Sequence, residues 1–255
     1  MKNEILNLPL FQNPDLDGGP FFLSGNETGV LLIHGFTATT VEVRLIGELF
    51  NQKGYTVSAP LLPGHNTTPA DLNNTSKEQW KTAVEAAFLQ LNEKCSRIYV
   101  CGESLGGLLT LYLVSQHKEI AGIALFAPAL KVPGMYLTPI LKYFIKYQPK
   151  KGSGKDDYLP WKGYRVNPIV AASQVYQLQR EVKKLLPTIQ TPTLIFQGAK
   201  DQTIDPLSSE LVYQNIGSEQ KEFIYLEKSG HCILLDREYK FVFDKTEQFF
   251  NKSSK

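Results

Sequence analysis

Gly102-Glu103-Ser104-Leu105-Gly106-Gly107 follows the apolar run Arg97-Ile98-Tyr99-Val100-Cys101 and precedes the helix-forming stretch Leu108 to Val114. Gly-x-Ser-x-Gly between a strand and a helix sets its serine on a strained turn. The hydroxyl is exposed above a sheet and the next helix aims its N-terminus at the site. Glycines flank the serine because so tight a turn leaves no room for side chains. The short pattern carries little weight alone: at glycine and serine frequencies of about 7%, a chain this long matches it by chance roughly one time in ten. Its weight comes from the strand before it, the helix after it and the residues elsewhere that chemistry at a serine requires.

Working outward, Gly29 to Ile33 is a continuous apolar run, as expected of a parallel strand covered on both faces. Thr39-x-x-Glu42 has capping-box form and opens an expected helix to about Lys53, ended by Gly54. Tyr55 to Ala59 reads as a strand and Leu61 to Asn74 as a long loop, after which Thr75-x-x-Glu78 opens a helix to about Glu93. Gly122 to Phe126, Thr193 to Gln197 and Phe223 to Leu226 are further short strands. Strands alternating with helices predict an α/β fold, a mostly parallel central sheet flanked by helices.

Residues 128–187 break the alternation. Two strand-free helices and a basic loop over Lys150 to Asp157 are expected there. In the first helix Leu137, Ile140, Leu141, Phe144 and Ile145 share one face, with Lys142 and Lys146 on the other. Asn167-Pro168 suits the start of the second, which runs to about Leu186. This insertion is expected to form a small helical lid on a core made of residues 1–127 and 188–255. Leu141, Phe144 and Ile145, with Tyr136, Tyr143, Tyr147, Tyr158 and Trp161 nearby, would then contact an apolar substrate.

Composition excludes several classes. A chain of 255 residues, 42% apolar, can bury one large core, and its net charge of +2 gives no footing for nucleic acid. Met1 to Leu8 is short and mixed and does not read as a signal peptide, and Ile120 to Leu130 is too short to span a bilayer. Cys95, Cys101 and Cys232 lack metal-ligand spacing. A soluble, cytoplasmic protein without metal, cofactor or stable membrane insertion is expected, with a monomer as the default.

A serine hydroxyl needs a base. Of the four histidines, His34, His65 and His117 read as structural, whereas His231 follows the last strand, at the sheet end where the serine should also be. The base in turn needs an acceptor. Asp205 precedes Pro206 and a helical segment and reads as an N-cap, so Asp201, in the loop Gly198-Ala-Lys-Asp201, is the choice and Asp205 the fallback. Two backbone donors should stabilise developing negative charge: Leu105 N–H, and Phe36 N–H from the loop His34-Gly35-Phe36-Thr37, where Gly35 lets the chain turn close to substrate.

Leu31 to Thr37, Leu62-Pro-Gly-His65, Gly102 to Gly107, Gln197-Gly-x-x-Asp201 and Ser229-Gly-His231 resemble the α/β-hydrolase superfamily. More narrowly they are similar to its bacterial carboxylesterases and thermostable monoacylglycerol lipases. The resemblance spans nearly the whole chain outside the insertion, including Pro20 to Leu23. It implies a small lid and cofactor-free hydrolysis of a small-molecule partner, a short- to medium-chain ester or a monoacylglycerol. Ser104 would be the nucleophile, His231 the base and Asp201 its acceptor. Other chemistry on the same fold (carbon–carbon, amide or perhydrolysis) and a low-turnover receptor stay open as alternatives. The chain departs from its relatives at Asn66, where a second glycine is usual, at Ala38-Thr39-Thr40, and at Glu103 beside the serine. Glu103 either raises the basicity of His231 or simply hydrogen-bonds beneath the loops.

Overall fold

A computed structural model describes residues 10–150 and 159–252. Met1 to Leu8, most of the expected basic loop and Tyr158 lie outside the described residues. In chain order the elements are β1 (Phe11–Gln12), β2 (Phe21–Leu23), β3 (Thr28–Ile33), α1 (Val41–Gln52), β4 (Thr56–Ala59), α2 (Pro69–Asn73) and α3 (Lys77–Asn92). Next come β5 (Arg97–Glu103), α4 (Leu105–Gln116), β6 (Gly122–Phe126), α5 (Thr138–Leu141), β7 (Tyr147–Pro149), β8 (Gly163–Tyr164), β9 (Val166–Pro168) and α6 (Ile169–Leu185). The chain finishes with β10 (Thr193–Gly198), α7 (Leu207–Asn215), β11 (Lys221–Leu226) and α8 (Tyr239–Lys252).

Seven strands form one sheet in the order β11-β10-β6-β5-β3-β4-β2, parallel throughout except for β2, which runs antiparallel to β4 along one edge. The central strands are apolar on both faces because helices cover both. Leu31 and Ile33 of β3 pack with Trp80, Phe88 and Leu178 of α3 and α6, while Val30 and Leu32 face Ile46, Phe50 and Phe243 of α1 and α8. Helix α4, apolar all round, is buried between the sheet and its neighbours α3 and α6.

Two helix starts differ from the sequence expectation. Helix α1 begins at Val41 without a side-chain cap, and Glu42 bonds elsewhere. Helix α3 has a capping box one residue later than expected: Ser76 Oγ accepts from Gln79 N–H, and Gln79 Oε1 accepts from Ser76 N–H. The hydroxyl of Thr75 is already committed to the Leu72 carbonyl closing α2, so Ser76 takes the cap.

The insertion is not strand-free. β7 and β9 form an antiparallel pair, and β8 pairs with β1 near the N-terminus. Asn167-Pro168 ends β9, and Pro168 is the N-cap of α6, which starts at Ile169, one residue later than expected. The expected first helix shrinks to a 3-10 turn over Met135–Leu137 followed by the single turn α5. Its apolar face has little to pack on, with Ile140 64% and Phe144 80% exposed, and short helices in proteins depend on such packing. Among the described residues no helix is long and apolar enough to cross a membrane.

Candidate active site

The sheet gathers the candidate residues at one end. His34 to Thr37 follow β3, Ser104 follows β5, Asp201 follows β10 and His231 follows β11, all at the C-terminal ends of parallel strands. β4 lies on one side of β3 and β5 on the other, so the chain reverses direction across the sheet between β3 and β5. Open α/β sheets form their ligand crevice at such a switch point.

Steric contact explains the motif. A Cβ on Gly106 would lie 2.0 Å from the Ile33 carbonyl oxygen, and one on Gly102 would lie 2.2 Å from that of Gly106. Both glycines therefore let α4 descend onto β3 and β5. Ser104 adopts φ 56°, ψ −112°, a conformation that costs a non-glycine residue about 1–3 kcal/mol. Its N–H donates to the Phe126 carbonyl (2.9 Å), and its own carbonyl accepts from Gly107 (3.1 Å) and Ala129 (3.0 Å). These bonds hold the turn, and Ser104 remains 7% exposed.

Asp201 and His231 meet. The imidazole Nδ1 lies 2.8 Å from Asp201 Oδ2. Asp201 also accepts from the N–H groups of Thr203 (2.8 Å) and Ile204 (2.9 Å) and from Gln197 Nε2 (3.2 Å). Burial pushes the Asp201 pKa up, but the neighbouring His231 and these hydrogen bonds outweigh it and hold the carboxyl below its ordinary range. Asp205 is elsewhere: it caps α7 through Leu207 N–H (3.0 Å) and pairs with Lys131 (2.8 Å). The His231 loop is tied to the serine turn through Glu103, whose Oε1 accepts from Leu234 N–H at 3.3 Å.

The loop after β3 lies against the serine, since a Cβ on Gly35 would stand 3.2 Å from Ser104 Cβ. Among the described residues, no protein acceptor takes the N–H of Phe36 or of Leu105. Thr37 has φ 63°, a second strained position. The other histidines have separate work. His34 accepts Leu62 N–H at Nε2 (3.1 Å) and contacts the Gly35 carbonyl through Nδ1, and burial lowers its pKa to about 4, so the ring is neutral. His65 is buried beneath Phe36, and His117 bonds Glu85 and Glu119. Asn66 takes φ 55°, a left-handed conformation that asparagine tolerates better than most residues.

Sequence reasoning missed the roles of two side chains around the site, Glu42 and Lys150, and placed Trp161 only against substrate. Glu42, read as half of a capping box, points away from its helix: Oε2 accepts Gly35 N–H at 2.5 Å and Oε1 accepts the indole N–H of Trp161 at 3.1 Å. Lys150 donates to Thr37 Oγ1 (2.6 Å) and lies 4.3 Å from the centre of the Trp161 ring. The one usable signal was position, because a glutamate seven residues past Gly35 can reach back to that loop. Burial raises the Glu42 pKa against the pull of the Gly35 and Trp161 N–H groups, His231 and Lys150. Burial, then the charge of Glu42, raises that of Glu103 well above its ordinary value. Glu42 accepts from two N–H donors. Glu103 Oε1 accepts from Leu234 N–H at 3.3 Å, and its Oε2 is buried without a partner.

The expected contacts from the insertion need correction. Phe144 and Ile145 are solvent-exposed and Leu141 half-buried, so with Tyr136, Ile140 and Tyr143 they make an open apolar patch rather than the wall of an enclosed pocket. With α5 cut to one turn, no helix carries that face inward.

The fold, the serine turn and the Asp201–His231 pair together define an α/β hydrolase. The family model of alpha/beta hydrolases matches residues 30–245, and the chain belongs to that family. It is 34% identical to a thermostable monoacylglycerol lipase of Bacillus sp. (strain H-257), over 94% of this chain and 98% of that one. It is 30% identical to a carboxylesterase of Bacillus subtilis (strain 168), over 91% and 96%. A solved structure from work on the metagenome-derived lipolytic enzymes LipS and LipT superimposes with a TM-score of 0.88 at 32% identity, covering 93% of this chain and 99% of that one.

Proposed function

We propose that this protein is a serine hydrolase of carboxylic esters, monoacylglycerols included, working through an acyl-enzyme. The observation that carries the proposal is the 2.8 Å pair of His231 and Asp201 at the same sheet end as the strained Ser104 turn, in the chain order Ser, Asp, His. Similarity to a monoacylglycerol lipase and a carboxylesterase over nearly the full length supports the bond type.

Asp201 accepts the Nδ1–H of His231, which leaves Nε2 as the basic nitrogen. Ser104 Oγ attacks the ester carbonyl as Nε2 takes its proton, and the carbonyl oxygen becomes an oxyanion facing the Phe36 and Leu105 N–H groups. Each such donor is worth about 10²–10³ in rate. The imidazolium then protonates the departing alcohol. Water, deprotonated by the same nitrogen, attacks the acyl-serine, and Ser104 recovers its proton as the acid leaves. The held-down carboxyl of Asp201 stays ionised through the cycle and stabilises the imidazolium. The exposed apolar patch from Tyr136 to Ile145 gives the insertion a surface compatible with acyl chains.

Covalent labelling by a fluorophosphonate probe tests this: wild type should label and Ser104→Ala should not. Nitrophenyl esters and monoacylglycerols of increasing chain length then define the substrate, with acyl preference expected in the short- to medium-chain range. Retained labelling or turnover in Ser104→Ala would refute the assignment.

A further inference from the structure

A short segment of the insertion, residues 161–164, is fastened onto the loop that follows β3. Tyr164 N–H donates to the Thr37 carbonyl (2.9 Å), Thr39 Oγ1 donates to the Lys162 carbonyl (3.2 Å), and Trp161 Nε1–H donates to Glu42. Lys150 reaches the Thr37 hydroxyl from β7's end. The segment is itself anchored, since Asn13 Nδ2 donates to the Trp161 carbonyl at 2.7 Å and Lys162 Nζ to the carbonyls of Pro14 and Leu16. Glu42 is 3% exposed, and its second oxygen takes the N–H of Gly35, one residue before Phe36. A Cβ on Gly35 would lie 3.0 Å from that oxygen and 3.2 Å from Ser104 Cβ, so carboxylate, loop and nucleophile are stacked in contact.

This arrangement does something that packing alone does not. A loop with Thr37 at positive φ relaxes unless its surroundings over-determine it, and relaxation swings the peptide plane of Phe36. The Glu42 carboxylate holds the His34–Gly35 plane, next before the one that carries the Phe36 N–H, and the Thr37 hydroxyl, which accepts from Lys150, donates to the Phe36 carbonyl in the plane after it.

We propose that Glu42 and Trp161 are positioning residues: a latch by which the insertion holds the Phe36 N–H at the place where the oxyanion forms. The inference rests on the serine-hydrolase reading. It adds that transition-state stabilisation depends on a side-chain pair 119 residues apart that touches no reacting atom.

The test uses Trp161→Phe, which keeps the ring and removes the N–H, and Glu42→Gln, which keeps the shape but sets an NH2 group against one of the two N–H donors. With nitrophenyl acetate, Trp161→Phe should lower kcat about tenfold and Glu42→Gln up to about 100-fold, as expected for a donor moved by a fraction of an ångström. KM should stay within about twofold, because the oxyanion exists only beyond the ground state. The inhibition constant of a trifluoromethyl ketone, whose adduct mimics the oxyanion, should rise by the factor that kcat/KM falls. A structural role would lower the melting temperature without that proportionality. Wild-type kcat in both variants, or reduced kcat with an unchanged inhibition constant, overturns the latch. Should Glu42→Gln not fold, Trp161→Phe decides alone. Retained turnover in Ser104→Ala would overturn the hydrolase reading and the latch with it, whereas an inert Ser104→Ala beside fully active latch variants removes only the latch.

Discussion

Glu103 lies next to the nucleophile, is fully buried, and has one carboxyl oxygen without a partner. Burial and the charge of Glu42 raise its pKa well above the ordinary 4.5, so the native protein keeps a proton that the unfolded chain releases. The unfolded state then binds one proton fewer than the native state, and wild-type stability falls as pH rises from about 4.5 toward the native pKa of Glu103. Glu103→Gln keeps the acceptor for Leu234 N–H and has no proton to lose. Relative to wild type, the variant should therefore gain stability at about 1.4 kcal/mol per pH unit inside that window. From pH 5 to pH 7 the full slope amounts to about 2.7 kcal/mol, reached where the proton stays bound throughout. Urea unfolding of both proteins at pH 5, 6, 7 and 8 measures the difference directly, and subtraction cancels the other titrating groups. A difference that is flat with pH, or that falls as pH rises, would refute the assignment of a neutral buried carboxyl.

Asp201→Asn should lower kcat about 10⁴-fold by stabilising the wrong imidazole tautomer; Asp205→Asn keeps the oxygen that caps α7 and should lower it less than about threefold, as nitrophenyl acetate kinetics will show. The Asp201 carboxyl is held below its ordinary 3.8, so the stability it contributes is complete above that pH and is lost as pH falls through the lower native value. Its stability advantage over Asp201→Asn should accordingly narrow below about pH 4 in denaturant titrations. Gly106→Ala should abolish soluble expression, because its Cβ would stand 2.0 Å from the Ile33 carbonyl oxygen. Gly134→Ala has open space at φ 73° and should cost only about 1–2 kcal/mol in thermal unfolding.

Six sheet strands were legible, the central ones because strands buried on both faces are apolar, although edge strand β11 leaves Tyr225 exposed; Gly122–Phe126 coincides with its expected range to the residue. The serine turn was legible because close approach of β3, β5 and α4 excludes every side chain but glycine's at positions 102 and 106. Asp201 and His231 were legible from their places after β10 and β11, since parallel strands bring such loops to one edge whatever their separation along the chain. Local periodicity failed in the insertion, where the apolar residues from Leu137 to Ile145, largely exposed, formed only a 3-10 turn and one α-turn, where β9 paired with β7 across the insertion, and where β1 supplied β8 with a partner from distant sequence. The role of Glu42 was decided only in three dimensions. A glutamate four residues into a helical pattern satisfies a capping rule equally well on paper, and only the Gly35 amide on one side and the Trp161 indole on the other, 119 residues from Glu42, draw its carboxylate into the site. Sequence determines what is repeated along one element; charge placement among buried groups depends on which elements meet.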